Sequence, residues 1–306
     1  MSKSETYLVA SASGQLGRQV LDALLKRGAE KIIATTRTPE SLADYARGGV
    51  EVRHADYNQP EGLAHAFRDA TRLLIISTLG AESRHAQHVA ALEAAKAAGV
   101  QHVFYTSHAC PDTSVSVVAP DHAAMEKSIL ASGMTYTILR NYLYSENWLL
   151  MLPAVLASGA LHGAAGNGKV AWISRRDCGE AAAGAMLQAL QHQNRILNVT
   201  GSRAYSAAEV VEIVSKLLDR RFQYVDMAPR AYEEWLIEQG MPRPHAHAFT
   251  SFEISNGSGE ESLVTDTVRV LTGHDPESLE DFLRNNIHQV DASRTLAVHM
   301  DKHLKV

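Results

Sequence analysis

The segment from Thr6 to Val20 joins a short apolar run to an amphipathic helical pattern through a turn with two glycines. Gly14 allows the backbone to approach a pyrophosphate closely, and Gly17 allows the helix to pack against the preceding strand. The N-terminus of the helix offers free N–H groups and a positive dipole end to phosphates. A tight turn without a ligand is the alternative. We predict a dinucleotide-binding turn, with cofactor contacts from Ser11, Ser13, Gly14, Gln15, Leu16 and Gly17.

Apolar, strand-like runs alternate with helical segments through the first half of the chain. The predicted strands after the first are Ile32–Thr36, Val50–His54, Leu73–Thr78, Val103–Ser107 and Tyr136–Leu139. The clearest helix is Ala86–Gly99, and its end at Gly99 predicts a left-handed C-cap. Strict alternation predicts an α/β fold of Rossmann type, a doubly wound parallel sheet that binds its ligand at the carboxyl ends of the strands.

After about Asn141 the alternation becomes irregular, which predicts a smaller, mostly helical C-terminal lobe that caps the crevice. Its predicted helices are Trp148–Ser158, Cys178–Gln191, Ala207–Leu218 and Tyr232–Gln239. We therefore expect an NADP-binding domain over residues 1–145, with returning segments from the later chain, and a substrate-side lobe with a tail over residues 146–306. The tail, residues 291–306, is predicted to be an exposed helix that would suit self-association as a homodimer.

Composition excludes several classes of protein. The 306 residues are 45% hydrophobic and 21% charged, which is enough to bury a large core. A net charge of −5 provides no basic field for nucleic acid or anionic lipid. The longest apolar run, Trp148 to Ala157, is far shorter than the ~20 residues that span a bilayer, and Pro153 interrupts the run. Two isolated cysteines and no apolar signal segment indicate a cytoplasmic protein.

The end of the second predicted strand indicates which dinucleotide binds. An NAD site usually has Asp or Glu there, whereas an NADP site has Arg for the 2′-phosphate. This chain has Thr35, Thr36 and then Arg37, whose guanidinium can pair with a phosphate or stack on adenine. An exposed turn arginine is the alternative. We predict NADPH as the cofactor.

Polar residues also follow the other predicted strands. Asp56 and Tyr57 are expected beside the adenine, whereas Ser77, Thr78 and Leu79 are expected beneath the ribose and nicotinamide, with Thr106 at the end of the next strand. Strands that simply end in polar residues are the alternative.

Several segments resemble the NmrA-like, atypical short-chain dehydrogenases. The turn reads Ser-Ala-Ser-Gly-Gln-Leu-Gly, close to the Gly-Ala-Thr-Gly-Gln-Leu-Gly of that family, and Arg140–Asn147 and Gly163–Lys169 match its bacterial NADPH-dependent quinone oxidoreductases. Triphenylmethane dye reductases are the next most similar group. The resemblance covers Tyr7 to about Leu283 and implies hydride transfer from NADPH to quinones or similar conjugated electrophiles. NmrA-like redox sensors, which bind a dinucleotide without turnover, are the alternative.

The chain departs from the family pattern at the first glycine of the turn, where it has Ser11. We expect the backbone there to take a conformation open to a residue with a Cβ, and the diphosphate to shift slightly. The segment His108-Ala109-Cys110 and the tail beyond about Ile287 also lack a counterpart in the family.

No Tyr-x-x-x-Lys pair of the kind used by carbonyl-reducing dehydrogenases is present, because none of the ten tyrosines has a lysine four residues later. Quinones and cationic dyes suit such a site, since their hydride adducts are already stabilised. No flavin or metal motif is evident, so direct hydride transfer to a small-molecule electron acceptor is the simplest mechanism.

His122, at the start of the fifth crossover helix, is the first candidate for a polar group at the reacting end. By resemblance, it occupies the position of a catalytic lysine in phenylpropanoid reductases. With an ordinary pKa near ~6.5, it would donate a hydrogen bond or a proton to a developing oxygen anion. A histidine bonded to helix-start carbonyls or water is the alternative. Tyr144 is the second candidate, and we expect Tyr144 and Asn141 to contact nicotinamide or substrate.

The fifteen histidines include pairs with chelating spacing: His85 and His88, His245 and His247, and His299 and His303. None has a third ligand in a recognisable pattern, so no metal site is predicted.

Overall fold

A computed structural model describes residues 5–78 and 84–290 of the chain. Seven parallel strands form one sheet in the order β3-β2-β1-β4-β5-β6-β9. Their bounds are β1 Tyr7–Ala10, β2 Ile32–Thr36, β3 Glu51–His54, β4 Arg72–Ile75, β5 His102–His108, β6 Thr135–Asn141 and β9 Arg195–Val199. Two small sheets pair β7 (Ala160–Gly163) with β11 (Gln223–Asp226) and β8 (Lys169–Val170) with β10 (Tyr205–Ser206).

Helices flank the large sheet and build the second lobe. Their bounds are α1 Gln15–Lys26, α2 Ala43–Arg47, α3 Leu63–Ala66, α4 Arg84–Ala97, α5 Ala119–Ala131, α6 Glu146–Ser158, α7 Arg175–Leu187, α8 Ala207–Leu217, α9 Pro229–Glu238, α10 Arg243–Ser258, α11 Thr267–Thr272 and α12 Leu279–Asn286. Short 3₁₀ turns lie at Pro39–Leu42, Pro60–Gly62, Ala189–Gln191 and Ile287–Gln289.

Both faces of the large sheet are covered. In β1, Tyr7 and Val9 belong to a core with residues of α1, α7 and α11, whereas Leu8 and Ala10 belong to a core with residues of α3, α4 and α5. Successive side chains of a strand point to opposite faces, so a strand buried on both sides must be apolar throughout. The predicted doubly wound α/β fold is therefore confirmed.

The strand order reverses between β1 and β4. Val9 of β1 is in register with Ala34 of β2 on one side and with Leu74 of β4 on the other. The crossover helices leave these two strand pairs in opposite directions, which opens a crevice at the carboxyl ends of the strands. The first turn of the chain, between β1 and α1, lies at this switch point.

The later chain builds a second apolar core and also returns to the large sheet. Residues of α6, α8 and α12 pack together with those of the small sheets, including Trp148, Trp172, Tyr205 and Phe282. β9 forms the sheet edge next to β6, and α7 packs beside α1. The division at residues 145 and 146 stays a prediction.

The structure confirms three local predictions. β2 has the predicted bounds, and Gly99 has the left-handed φ of 75° expected of a C-cap. The predicted helix Trp148–Ser158 is confirmed as α6, which begins at Glu146 and continues through Pro153 to Ser158. Burial of Trp148, Leu152 and Val155 offsets the one backbone hydrogen bond that proline removes. The predicted tail helix lies outside the described residues. None of the described helices is long and apolar enough to cross a bilayer.

Candidate active site

The N-terminus of α1 is open toward the crevice. Gly14 is its N-cap, and no side chain caps this helix or puts an acid in its first turn. By contrast, serine hydroxyls cap α7, α8 and α12, at Ser174, Ser206 and Ser278. The first N–H groups of a helix need acceptors, so the start of α1 suits an anionic ligand such as a pyrophosphate.

The two glycines of the turn have different surroundings. A Cβ at Gly17 would lie 2.6 Å from the carbonyl oxygen of Ala12, so only glycine allows α1 to pack on the turn. A Cβ at Gly14 would meet only the carbonyl oxygen of Ser11, at 3.5 Å. The space beside Gly14 is thus open, which is the cradle that a close backbone approach to a diphosphate requires.

Ser11 does not have the backbone conformation that we expected. Its φ of 56° lies in the left-handed region that favours glycine. Two backbone hydrogen bonds hold the turn: Ala12 N–H donates to the Thr35 carbonyl at 2.9 Å, and Gly14 N–H to the Ser11 carbonyl at 3.3 Å. The serine therefore adopts a backbone that favours glycine, and the expectation of a conformation open to a residue with a Cβ is wrong.

Hydroxyl groups and two arginines gather after β2. Arg37 is exposed and makes no hydrogen bond or ion pair to the described residues. Arg18 donates to the carbonyl oxygens of Ser13, at 3.1 Å, and Ser41, at 2.6 Å. The Thr36 hydroxyl donates to the Ser13 hydroxyl at 2.8 Å. The sequence indicated Arg37 and Ser13 as candidate cofactor residues. It did not indicate Arg18 and Ser41, because these two residues come together only in the folded chain.

The residues after β3 differ in their surroundings. Asp56 accepts a hydrogen bond from the Asn58 amide at 2.9 Å and so shapes the turn. The Tyr57 hydroxyl is buried without a hydrogen-bond partner among the described residues, and burial raises its pKa to about 12 against a small lowering effect of the Ser11 side chain. Tyr57 therefore presents a protonated phenol next to the glycine turn.

The end of β4 is held by neighbouring side chains. The Ser77 amide donates to the Thr106 hydroxyl at 2.9 Å, and Thr78 lies 3.4 Å from Nε2 of His88. Thr106 is 4% exposed, so in this structure its hydroxyl links the ends of β4 and β5. Leu79 lies outside the described residues.

His122 lies in the first turns of α5 and is 8% exposed. Its Nδ1 is 3.0 Å from the Tyr105 hydroxyl, and Nε2 makes no hydrogen bond to the described residues. Burial, His108, Arg84 and His88, in that order, hold the pKa of His122 well below its ordinary value. The expected ordinary pKa and the alternative of bonding to helix-start carbonyls are both wrong. His122 is a neutral imidazole with one engaged nitrogen.

Asn141 and Tyr144 lie together after β6. The Asn141 side-chain amide donates to the Tyr144 hydroxyl at 3.4 Å, and the Arg175 guanidinium lies 4.4 Å from the centre of the Tyr144 ring. The Oδ1 of Asn141 is buried and has no partner among the described residues. A buried acceptor without a donor is costly, so a ligand N–H fits this position.

Residues from α10 close the end of β5. The Val117 amide donates to the Ser251 hydroxyl at 3.1 Å, and the Phe252 ring lies 6.5 Å from the ring of His108 at 29°. His108 is neutral, because burial, with Arg84 next, lowers its pKa to about 4. The sequence did not indicate Phe252, since nothing local to α10 relates it to β5. The one indication in the sequence that this region differs from the family was the segment at His108.

An ion-pair network fixes the loop beside this site. Glu126 accepts from the Ser107 hydroxyl at 2.6 Å and from Arg140 at 2.9 and 2.5 Å, and Arg140 also reaches Asp112 at 3.3 Å. Arg140 therefore joins α5 to the loop after β5 rather than facing the crevice.

Two of the paired histidines have a nearby side-chain partner, and His299 and His303 lie outside the described residues. His85 lies 3.3 Å from the Ser128 hydroxyl, and His247 lies 3.4 Å from Glu233. A group not considered from the sequence, Asp177, Glu180 and His274, has potential ligand atoms within 4.8 Å of one another. Glu180 and His274 hydrogen-bond at 2.5 Å, and the Asp177 carboxylate accepts from the Ser174 hydroxyl and the Glu277 amide. We assign no metal to it.

The doubly wound sheet, the open glycine turn at its switch point and the hydroxyl and arginine cluster after β2 define a dinucleotide-binding protein of Rossmann type. The NmrA-like family model matches residues 3–283, and the chain belongs to that family. It is 33% identical over 272 residues to quinone oxidoreductase 2 of Escherichia coli (strain K12), covering 89% of this chain and 95% of that protein.

Two solved structures share the fold closely. The NADPH-dependent quinone oxidoreductase QOR2 of Escherichia coli, complexed with NADPH, superimposes with a TM-score of 0.89 at 31% identity, covering 92% of this chain and 100% of the other. The triphenylmethane reductase of Citrobacter sp., complexed with NADP(H), has a TM-score of 0.85 at 32% identity, covering 92% and 99%.

Proposed function

We propose that this protein is an NADPH-dependent oxidoreductase that transfers hydride directly to quinones or similarly conjugated electrophiles. The observation that carries the proposal is the neutral His122, whose Nε2 has no hydrogen-bond partner among the described residues, in a site whose glycine turn is open to a dinucleotide. The similarity to a quinone oxidoreductase and to a triphenylmethane reductase supports the reaction class.

The residues present fit the cofactor. The open space beside Gly14 and the uncapped start of α1 would hold the diphosphate, and Arg37, Arg18 and Ser41 would hold the 2′-phosphate. The unpartnered Oδ1 of Asn141 would accept from the carboxamide of the nicotinamide. When bound, NADPH supplies a hydride, which carries the two electrons of the reduction.

The chain itself orients the acceptor and meets the developing charge. Hydride addition to a quinone leaves one negative charge on an oxygen, and a proton from water completes the hydroquinone. His122 is neutral, so it donates a hydrogen bond to that oxygen and is not the source of the proton. Phe252 and His108 offer a ring surface for a flat, conjugated acceptor.

Arg37→Ala should reduce cofactor discrimination. The wild type should bind NADPH more tightly than NADH, and the variant should lose roughly ten- to a hundredfold in NADPH affinity, the equivalent of one charge-assisted contact of ~1.5–3 kcal/mol. Affinity for NADH should hardly change. Titration calorimetry with both cofactors measures this, with Arg230→Ala, an exposed arginine of α9, as the control. Equal wild-type affinities would contradict the assignment.

The choice of acceptor tests the reaction. NADPH oxidation should be far faster with benzoquinone than with cyclohexanone, because a simple ketone needs a proton delivered as the hydride arrives. Absorbance of NADPH at saturating acceptor measures both rates. Comparable ketone turnover would mean that the site contains an acid not recognised above. Tight NADPH binding without turnover on any quinone or dye would instead identify a redox sensor.

We also propose a cytoplasmic location and a homodimer. Cys110 and Cys178 are both free thiols, which suits a reducing compartment. Light scattering of the purified full-length chain measures its assembly.

A further inference from the structure

Tyr105 lies directly behind His122. It belongs to β5, is 1% exposed and packs between two imidazoles, with ring centres 5.9 Å from His88 and 5.9 Å from His122. Its hydroxyl is 3.0 Å from Nδ1 of His122. A substrate in the crevice cannot contact a side chain buried this deeply. Tyr105 therefore acts on the reaction through its neighbours, and of these His122 is the one that its hydroxyl contacts.

The proton in this hydrogen bond belongs to the tyrosine. Burial raises the pKa of Tyr105 well above its usual value, so the phenol is protonated, and the neutral His122 carries one N–H. Among the described residues, Nδ1 of His122 is the one hydrogen-bond partner of the Tyr105 hydroxyl. The phenolic proton is then directed at Nδ1, and the imidazole N–H must be on Nε2.

We infer that Tyr105 is a positioning residue that holds His122 as the Nε2–H tautomer, so that a hydrogen-bond donor faces the oxygen of the bound acceptor. The consequence for the reaction rests on the proposed function. With the other tautomer, a lone pair would face that oxygen and repel the charge that forms there.

The neighbouring histidines do not replace Tyr105, because Nε2 of each is engaged by a hydroxyl elsewhere. Nε2 of His108 lies 3.1 Å from the Ser116 hydroxyl, and Nε2 of His88 lies 3.4 Å from Thr78. His108 also packs edge-on against His122, at 5.9 Å and 88°, which resists rotation of the His122 ring. The tautomer is thus set by one hydrogen bond, and the ring orientation by packing.

Two classes of acceptor differ in whether they need this hydrogen-bond donor. A quinone accumulates charge on an oxygen and needs the Nε2–H donor. A cationic triphenylmethane dye takes hydride on carbon and becomes neutral, so it needs no donor. Loss of the tyrosine hydroxyl should therefore slow quinone reduction selectively.

The tautomer is measured on the free protein by two-dimensional ¹⁵N–¹H NMR of histidine-labelled chain, with His122→Asn to assign the signal. The wild type should show protonated Nε2 and bare Nδ1, and Tyr105→Phe should show a mixture of tautomers. Tyr136→Phe, a change elsewhere in the sheet, is the matched control. Protonated Nδ1 in the wild type, or an unchanged signal in Tyr105→Phe, would overturn the inference. This result does not depend on any acceptor being reduced, so it stands apart from a failure of the proposed function.

Kinetics provide the second readout. Tyr105→Phe should lower kcat with benzoquinone roughly three- to thirtyfold, the effect of one hydrogen bond, and leave NADPH affinity and dye reduction unchanged. In a His122→Ala background, the same change should have no further effect. An equal loss on quinone and dye, or a full loss in the double variant, would assign Tyr105 to stability alone.

Discussion

Lowering the pH from 7 to 4 should cost this protein much of its stability, because four buried histidines, His122 among them, are neutral in the folded state. Burial, the largest cause in each, lowers the pKa of His88, His102 and His108 from 6.5 to about 4. Each difference corresponds to about 3 kcal/mol. The three together approach the whole free energy of unfolding of an ordinary domain.

The direction follows from which state binds protons. Below pH 6.5 the unfolded chain protonates these histidines and the folded chain does not. Their contribution to stability is therefore complete above pH 6.5 and is lost as the pH falls toward 4. Glu261 has the opposite effect. Burial raises its pKa from 4.5 to about 8, so between pH 4.5 and 8 its contribution to stability falls as the pH rises. It offsets about 3 kcal/mol of the loss between pH 6.5 and 4.5.

Urea denaturation followed by circular dichroism, at several pH values between 7 and 4.5, measures this effect. His102→Asn removes one buried histidine far from the crevice, where the ring stacks on Phe104 at 4.2 Å, and should make the pH dependence shallower by about one proton. His54→Asn, at an exposed position, should leave it unchanged. A denaturation midpoint that stays flat down to pH 4.5 would refute the assignment of these histidines as neutral.

His122→Ala should lower quinone turnover by roughly ten- to a thousandfold while leaving NADPH binding nearly intact. The reason is the loss of the only free imidazole nitrogen identified at the reacting end of the described site. Since the pKa of His122 is held well below 6.5, the wild-type rate should also show no titration near pH 6.5.

The matched control for this variant is His85→Ala on α4, which removes a histidine bonded to Ser128 on the neighbouring helix. Stopped-flow measurement of NADPH oxidation with benzoquinone separates the two. If His122→Ala reduces quinone at the wild-type rate, the histidine belongs to the packing of α5 and the proposed role is lost.

Much of the fold and of the cofactor side could be predicted from sequence, because each part depends on neighbours along the chain. Gly14 and Gly17 lie in one turn, Arg37 directly follows a strand whose bounds were predicted, and apolar runs of five residues indicate buried strands by themselves. Local geometry, together with the parallel sheet that follows from the alternation of strands and helices, is enough to predict these features.

The tertiary structure alone decided the chemistry of the reacting end. His122 was visible in the sequence, but its protonation state depends on burial, and its free nitrogen on a bond to Tyr105 that forms only when β5 and α5 pack together. Phe252 reaches His108 from a helix late in the chain, and Ser11 keeps a left-handed backbone that the folded turn imposes. Desolvation and long-range hydrogen bonds arise only when distant residues come together in the folded interior, so the local sequence pattern does not predict them.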